Sequence, residues 1–309
     1  MRRLAAGLAA VWLGLAGAMP AHAQDVTPVN AVLPPPPSAK TADTTPAKRL
    51  FGGVRKPADL ATRTIGFYSK GCLAGAEALP VNGKTWQAMR LSRNRNWGHP
   101  ELIAFLERFS ARVPQVSKWP GILVGDMSQP RGGPMLTGHA SHQVGLDADI
   151  WLTPMPTRTF TDDEREKVSA TMIVRPDRLD VDAKVWTPDH LAVIRAAAQD
   201  PEVERVLVNA AIKKALCRDA TGDRSWLQKV RPYWGHDYHM HVRISCPAGS
   251  PNCRAQDPVV PGEGCGSVLD WWFSEGNIHP KPPKVPPKPK PPMMLKDMPA
   301  ACREVVLAP

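Results

Sequence analysis

Several motifs that define common catalytic chemistries are missing from the 309-residue chain. It has no His-Glu-x-x-His motif, no Gly-x-Ser-x-Gly elbow and no Ser-x-x-Lys pair. These absences argue against a thermolysin-like helix and against the serine chemistry of penicillin-binding enzymes. No glycine-rich phosphate loop, zinc finger, helix-turn-helix or RNP-type motif is present either, so we expect no nucleic-acid partner.

The six cysteines include no Cys-x-x-Cys pair, which disfavours a thiolate zinc site and a thioredoxin-like redox motif. An even number of cysteines in an exported protein is typical of disulfides, although the sequence leaves their pairing open. Cys246 and Cys253 are close enough to form a local loop. Cys302 is expected to pin the C-terminal segment to the body, with Cys72 as the favoured partner. A cysteine nucleophile is therefore not expected.

Beyond the N-terminus, no apolar run is long enough to span a membrane. Residues 1–23 start with Arg2 and Arg3, continue as an apolar run and end in the small-x-small pattern Ala21-His22-Ala23. This order predicts a cleaved secretory signal and export to the periplasm. The formal net charge of +10 suits an anionic polymer such as a cell wall.

The rest of the chain divides by composition. Residues 24–49, rich in Pro, Thr and Ala, predict an extended linker. Residues 50–278 are expected to form one folded body, and residues 279–309 a Pro/Lys-rich tail tethered by Cys302.

Hydrophobic periodicity predicts the fold class of the body. Helices are predicted over 99–113, 187–199 and 210–220, and strands over 121–128, 145–152, 203–209 and 238–245. Helices and strands intermix without a regular strand–helix repeat, which favours an α+β fold over a doubly wound sheet. We expect a single α+β domain, stapled by disulfides, with a central antiparallel sheet flanked by helices.

The predicted strand 238–245 carries a His-x-His pair. Because side chains alternate along a strand, His239 and His241 lie on one face and can aim both imidazoles at one point. His236 precedes the strand within reach. Three nearby histidines alone do not distinguish a metal site from ordinary surface histidines.

A second segment, GHASHQVGLDAD at 138–149, contains His139, His142, Asp147 and Asp149. Zinc binds imidazole and carboxylate groups, and catalytic zinc sites combine three protein ligands with water. His142 and Asp149, with either histidine of the His-x-His pair, would form such a set. The sheet is therefore expected to carry a zinc site.

The stretches SHQVGLDADIW and GHDYHMHVRISCP resemble the penicillin-insensitive murein endopeptidases. These belong to the lysostaphin, D-Ala-D-Ala peptidase and hedgehog metallopeptidase group, whose signature is His-x6-Asp followed by His-x-His. The resemblance implies Zn²⁺ bound by His142, Asp149 and His241. It also implies that His239 is the catalytic histidine and that His236 assists it.

The resemblance covers about residues 50–278 and the cysteine near the C-terminus, and it implies further sites. His139, Asp177 and Asp180 match residues of a second metal site, although the two aspartates could equally pair with neighbouring arginines. The implied disulfides are Cys72–Cys302, Cys217–Cys265 and Cys246–Cys253.

The function implied by the resemblance is that of a periplasmic zinc endopeptidase. It would hydrolyse the D-alanyl–meso-diaminopimelyl cross-link between peptidoglycan stem peptides and would be insensitive to penicillin. Two alternatives stay open: a zinc-containing binding module without hydrolysis, and a D-Ala-D-Ala carboxypeptidase. The sequence does not define an oligomeric state.

Two further features have two interpretations each. Trp151 and the segment DWWFSEG at 270–276 either line a peptide cleft or pack in the core and rim. Arg93 and Arg95 either bind substrate carboxylates bidentately or belong to a solvated loop.

Overall fold

The computed structural model describes residues 39–283, 285 and 287–309. The predicted signal at 1–23 and the predicted linker up to residue 38 lie outside the described residues. Within the described part of the chain, no helix is both long enough and apolar enough to cross a bilayer.

The described residues form short helices and strands joined by many loops. The helices are α1 Ala39–Ala42, α2 Ala47–Gly52, α3 Pro100–Val116, α4 Asp162–Lys167, α5 Pro188–Ala198, α6 Ala210–Asp219, α7 Ser267–Asp270, α8 Glu275–Ile278 and α9 Ala301–Leu307. The strands are β1 Arg63–Phe67, β2 Lys70–Ala74, β3 Glu77–Ala78, β4 Trp86–Ala88, β5 Trp97–Gly98, β6 Ile122–Val124, β7 Asp147–Trp151, β8 Val203–Val208, β9 Val230–Pro232 and β10 His239–Ile244.

Six strands form the main sheet in the order β4-β6-β7-β10-β8-β9. The three inner pairings are antiparallel, whereas β4-β6 and β8-β9 at the two edges are parallel. The expectation of a plainly antiparallel sheet is therefore wrong, and the sheet is mixed. Connectivity explains the difference: the chain passes through α3 between β4 and β6 and through α6 between β8 and β9. Helical crossovers of this kind return the chain in the parallel direction.

The helix ends follow local sequence. Pro100 occupies the first turn of α3, where its fixed φ suits the helix. The His99 side chain before it accepts a hydrogen bond of 3.2 Å from the backbone N–H of Glu101. Helix α5 likewise starts with Pro188 after the N-cap residue Thr187. The three predicted helices are confirmed, with ends shifted by a few residues at most.

The two faces of the main sheet differ in chemistry. Ala148, Ile150 and Val242 lie in the main hydrophobic core with residues of α3 and α5. Because side chains alternate along a strand, the intervening residues Asp149 and His241 point to the opposite face. One face of the sheet therefore supports the fold, and the other presents the candidate site.

A second hydrophobic cluster joins the two ends of the described chain. It combines residues of α2, of the β1-β2 hairpin and of α9. Residues 39–49, predicted as the end of an extended linker, contain α1 and the start of α2, and Ala42 and Ala47 are fully buried. The folded region therefore extends N-terminal of residue 50.

Three disulfides reinforce the structure, and no described cysteine is free. Cys72–Cys302 joins β2 to α9 across a sequence separation of 230 residues. The other two pairs are Cys217–Cys265 and Cys246–Cys253, with separations of 48 and 7 residues. The C-terminal helix is thus covalently attached to the body.

Candidate metal centre

Three histidine rings approach one carboxylate oxygen in the middle of the sheet. Oδ1 of Asp149 lies 3.4 Å from Nε2 of His142 and 3.1 Å from Nδ1 of His241. Nε2 of His239 lies 3.6 Å from the same oxygen. All four residues are buried. The most exposed of them, His239, has 8% of its surface exposed to solvent.

The register of two central strands brings these groups together. Strands β7 and β10 pair antiparallel, with His241 opposite Asp149 and His239 opposite Trp151. Directly opposed residues have Cβ atoms about 4.5–5.5 Å apart, so their side chains meet above the same face. His142 reaches the cluster from the loop before β7. The sequence pattern predicts the shared face of each strand but not this pairing.

His142 and His236 adopt an uncommon backbone conformation. Their φ angles are +66° and +59°, in the left-handed region that non-glycine residues seldom occupy. At His142 the backbone N–H donates a hydrogen bond of 2.9 Å to Oδ2 of Asp147. Strained backbone persists only where surrounding contacts hold it, and it concentrates at functional sites.

Asp147 is a fully buried carboxylate whose role the sequence pattern does not predict. Its carboxylate accepts hydrogen bonds of 2.8 and 3.2 Å from the guanidinium group of Arg243. Oδ1 also lies 3.2 Å from Nε2 of His241. One side chain therefore contacts two of the predicted zinc ligands, as carboxylates behind metal-binding histidines commonly do.

His139 lies at the open edge of the cluster. Its Nδ1 is 3.4 Å from Oδ2 of Asp149, and its Nε2 is 2.9 Å from Oδ2 of Asp126. The same Asp126 oxygen accepts hydrogen bonds from Arg93 and Arg95, at 3.0 and 2.9 Å. Arg95 is 8% exposed, so the interpretation of this residue as part of a solvated loop is wrong. Both arginines support the Asp126 carboxylate.

Charge distribution favours binding of a cation at this cluster. Burial disfavours ionised Asp149, but the neighbouring rings of His239 and His142 outweigh it and hold the pKa of Asp149 well below its usual value. Burial lowers the pKa of His142. For His241, the carboxylates of Asp147 and Asp149 overcome burial and raise the pKa to about 9. A bound metal ion would compete with a proton at His241.

The donor set suits a metal ion that takes imidazole and carboxylate ligands, as zinc does. Two ligand atoms bonded to zinc at about 2.0–2.1 Å with tetrahedral angles are about 3.3 Å apart. The separations of 3.4 and 3.1 Å from Asp149 to His142 and His241 match that value. Neither ring nitrogen of His142 makes a hydrogen bond within the described residues. Among those residues, the group whose ligand atoms all lie within 4.8 Å of one another is His139, His142 and Asp149, and His241 is not part of it.

His236 flanks the cluster, next to an exposed aromatic group. Its Nδ1 is 2.9 Å from the carbonyl oxygen of Trp234, and its ring centroid is 4.8 Å from that of His239. Because a carbonyl only accepts, Nδ1 of His236 carries the hydrogen.

The tryptophans of the two predicted aromatic features differ in exposure. Trp271 is 58% exposed and lies beside Trp234. Trp151 is 6% exposed and packs in a small hydrophobic cluster of its own.

Asp177 and Asp180 lie apart from the histidine cluster. Asp177 forms an ion pair of 2.6 Å with Arg175, and Asp180 one of 3.0 Å with Arg218. The structure does not bring either carboxylate into the group formed by His139 and its neighbours. A second metal site at His139, Asp177 and Asp180 stays a prediction.

Comparison with known proteins gives one consistent result. The profile of the penicillin-insensitive murein endopeptidase family matches residues 64–307. The chain is 46% identical over 228 residues to the penicillin-insensitive murein endopeptidase of Haemophilus influenzae, covering 73% of this chain and 79% of that protein. The protein of the same name from Klebsiella pneumoniae is 43% identical over 254 residues, covering 82% and 89%. The one from Yersinia pestis is 44% identical over 230 residues, covering 74% and 83%.

The matched region includes every strand of the main sheet and both histidine-rich segments. It covers well over half of the chain, and each relative is matched over most of its length. The chain therefore belongs to the penicillin-insensitive murein endopeptidase family.

Proposed function

We propose that this protein is a periplasmic zinc endopeptidase that hydrolyses the D-alanyl–meso-diaminopimelyl cross-link of peptidoglycan. Family membership supports hydrolysis of peptidoglycan. One geometric observation carries the metal-dependent mechanism: ring nitrogens of His142 and His241 converge on Oδ1 of Asp149 at 3.4 and 3.1 Å. Buried imidazole and carboxylate groups at this spacing suit Zn²⁺ better than a hard, oxygen-seeking cation.

His142, Asp149 and His241 are the proposed zinc ligands. When bound, Zn²⁺ supplies a Lewis acid that polarises an amide carbonyl and makes a water molecule more acidic. Three protein ligands would leave one position on a four-coordinate zinc ion for water, as in catalytic zinc sites. His139, whose Nδ1 lies near the other oxygen of Asp149, borders this group.

His239 is the proposed general base and acid. It lies beside the ligand group rather than at its centre, with Nε2 at 3.6 Å from Asp149. Its Nδ1 is buried without a hydrogen-bond partner in the described part of the chain. Nε2 is the nitrogen that faces the ligand group, and in this proposal it accepts a proton from the attacking water and returns it to the leaving amine.

His236 is proposed to orient the reacting groups. Its Nδ1–H donates to the carbonyl of Trp234, which leaves Nε2 as an acceptor in the neutral ring. The short distance between the rings of His236 and His239 places this acceptor near the proposed base. His236 can therefore steady the water or the leaving amine.

The proposed location of the protein in the cell is based on its sequence. We propose that residues 1–23 are a cleaved signal that directs the protein to the periplasm, where its disulfides persist. Hydrolysis by a metal-assisted water requires no acyl-serine intermediate, so penicillin should not inhibit it.

The decisive experiment is digestion of purified cross-linked muropeptides, with and without a chelator, followed by mass analysis. Conversion of dimers to monomers, abolished by the chelator and restored by Zn²⁺, is the expected result. Loss of a terminal alanine alone would identify a carboxypeptidase instead. Unchanged muropeptides that nevertheless bind the protein would identify a binding module.

A further inference from the structure

A cavity lined by three arginines lies under the segment 254–260. Its volume is about 300 Å³, and Arg205, Arg231 and Arg254 contribute to its wall. This volume is at the lower end of the range for small-molecule sites. We refer to it as the arginine cavity.

The guanidinium groups of the arginine cavity form no side-chain ion pairs in the described part of the chain, and that of Arg205 donates to the backbone carbonyls of Glu204 and Asp257. Glu204, next to one of them in sequence, accepts a hydrogen bond from Tyr68. Glu263 pairs with Arg224 at 2.7 Å. Within the described residues no carboxylate forms an ion pair with any of the three arginines. Asp257 is the single acidic residue of the lining, so the wall carries a net positive charge.

Two of the cavity's arginines lie on the same face of the sheet as the histidine cluster. Arg205 on β8 stands directly opposite Arg243 on β10, and Leu207 stands opposite His241. Arg231 on β9 is the parallel partner of Leu207. Side chains two residues apart on a strand share a face. Arg205 is thus the diagonal cross-strand neighbour of His241. The Cα atoms of such neighbours are about 7–8 Å apart.

Apart from the arginines, Gln256 and Asp257, the lining is apolar. Phe67, Val259 and Val260 contribute to the wall, and the Arg254 guanidinium lies 5.5 Å from the centre of the Phe67 ring. A planar guanidinium recognises carboxylates and phosphates alike. Apolar walls favour a carboxylate on an aliphatic chain, because a bare phosphate offers no apolar surface to cover.

We propose that the arginine cavity is a subsite that binds a carboxylate of the peptidoglycan stem peptide near the bond to be cleaved. This inference rests on the proposed function, because only a peptide held at the histidine cluster would reach the cavity. Each residue of an extended peptide spans about 3.3–3.6 Å, so a peptide held beside His241 would reach Arg205 within a few residues. Diaminopimelyl and glutamyl residues of a stem peptide carry the required carboxylates.

Binding to chelator-treated protein tests the subsite without a contribution from bound metal. The probes are a purified stem tetrapeptide, the same peptide with its carboxylates converted to amides, and inorganic phosphate. Calorimetry should show that the free-acid peptide binds at least tenfold more tightly than the amide or phosphate. Arg231→Gln and Arg254→Gln should each weaken peptide binding about tenfold or more. Arg112→Gln, an exposed change on α3 behind the sheet, should leave binding unaltered.

Kinetics with the zinc-loaded protein distinguish the subsite from the catalytic site. The two cavity variants should raise KM for cross-linked dimers about tenfold while kcat stays within twofold. Because Arg254 is exposed, its variant should fold even if the Arg231 variant does not. Unchanged peptide binding in both variants, or equally tight binding of phosphate, overturns the subsite. Absence of hydrolysis by the unmodified protein, together with arginine-dependent binding, contradicts the proposed function but supports the cavity.

Discussion

The backbone N–H of His142 donates a hydrogen bond of 2.9 Å to the carboxylate of Asp147. Asp147 is in turn held by Arg243, whose Nε donates to it at 2.8 Å. All three residues are buried. The buried ion pair of Asp147 with Arg243 thus holds the strained backbone of His142. The same Asp147 carboxylate also contacts the ring of His241.

Asp147→Asn should weaken metal binding without unfolding the protein. The amide cannot neutralise Arg243, and a buried charge left without its partner costs about 3–5 kcal/mol of unfolding free energy. Loss of an outer carboxylate contact typically reduces metal affinity about 10–100-fold. Chelator competition and urea unfolding measure the two effects. Asp163→Asn on the exposed face of α4 is the matched control and should change neither quantity appreciably.

The proposed ligand and the proposed base should respond differently to removal. His142→Ala should lose both stoichiometric zinc and hydrolysis, because a ligand is removed. His239→Ala should retain zinc while kcat falls about 100-fold or more, the usual contribution of a positioned acid–base group. Metal analysis alongside muropeptide digestion separates the two cases. Loss of zinc from the His239 variant would show that the roles of the histidines are exchanged.

The disulfides should differ in their contribution to stability according to the loop that each closes. In the chain-entropy description, a loop of 230 residues (Cys72–Cys302) contributes roughly 5 kcal/mol. The loop of 7 residues at Cys246–Cys253 contributes roughly 2–3 kcal/mol. Urea unfolding of the two double-alanine variants gives the comparison. Equal losses of unfolding free energy in the two variants would indicate that local contacts, rather than loop closure, determine what each disulfide contributes to stability.

Lys213 should make stability depend on pH above neutrality. Burial, assisted by the charge of Arg231, lowers the pKa of its ammonium group to about 7. Between about pH 7 and the unfolded value near 10.5, the unfolded chain binds one more proton than the folded chain. The unfolding free energy should therefore rise with pH in this window, by up to about 1.4 kcal/mol per unit.

The measurement for Lys213 is urea unfolding at several pH values, compared with Lys213→Met. The difference between the two proteins should grow in favour of the unmodified chain as pH rises from 7 to 10. Below pH 7 Lys213 is protonated in both the folded and the unfolded state of the unmodified protein, so the difference should level off. If the unfolding free energies of the two proteins changed in parallel over the whole pH range, a lowered pKa of Lys213 would be contradicted.

Local patterns were enough to place several elements. The spacing of apolar residues predicted α3, α5 and α6, because helical periodicity depends on near neighbours. Alternation along strand 238–245 correctly separated His239 and His241 from the core residue Val242, since the strand period does not depend on the partner strand.

The parallel edge strands and the convergence of the site could not be derived in the same way. Strand β4 has three residues and β9 has three, too few to show a period. Asp126 and Asp147 look like ordinary acidic residues in the sequence. Their roles depend on contacts with His139 and Arg243 that arise only when distant segments pack together.

The sequence by itself determined which residues could bind a metal and the face of each strand that carries them. Its histidine and aspartate spacing also sufficed to indicate the family. Tertiary structure decided the rest: the register that sets His241 opposite Asp149, the buried support from Asp147, and the arginines gathered at one cavity. Register and burial are properties of strand pairing across a sheet, and a one-residue slip would turn every one of these side chains to the other face.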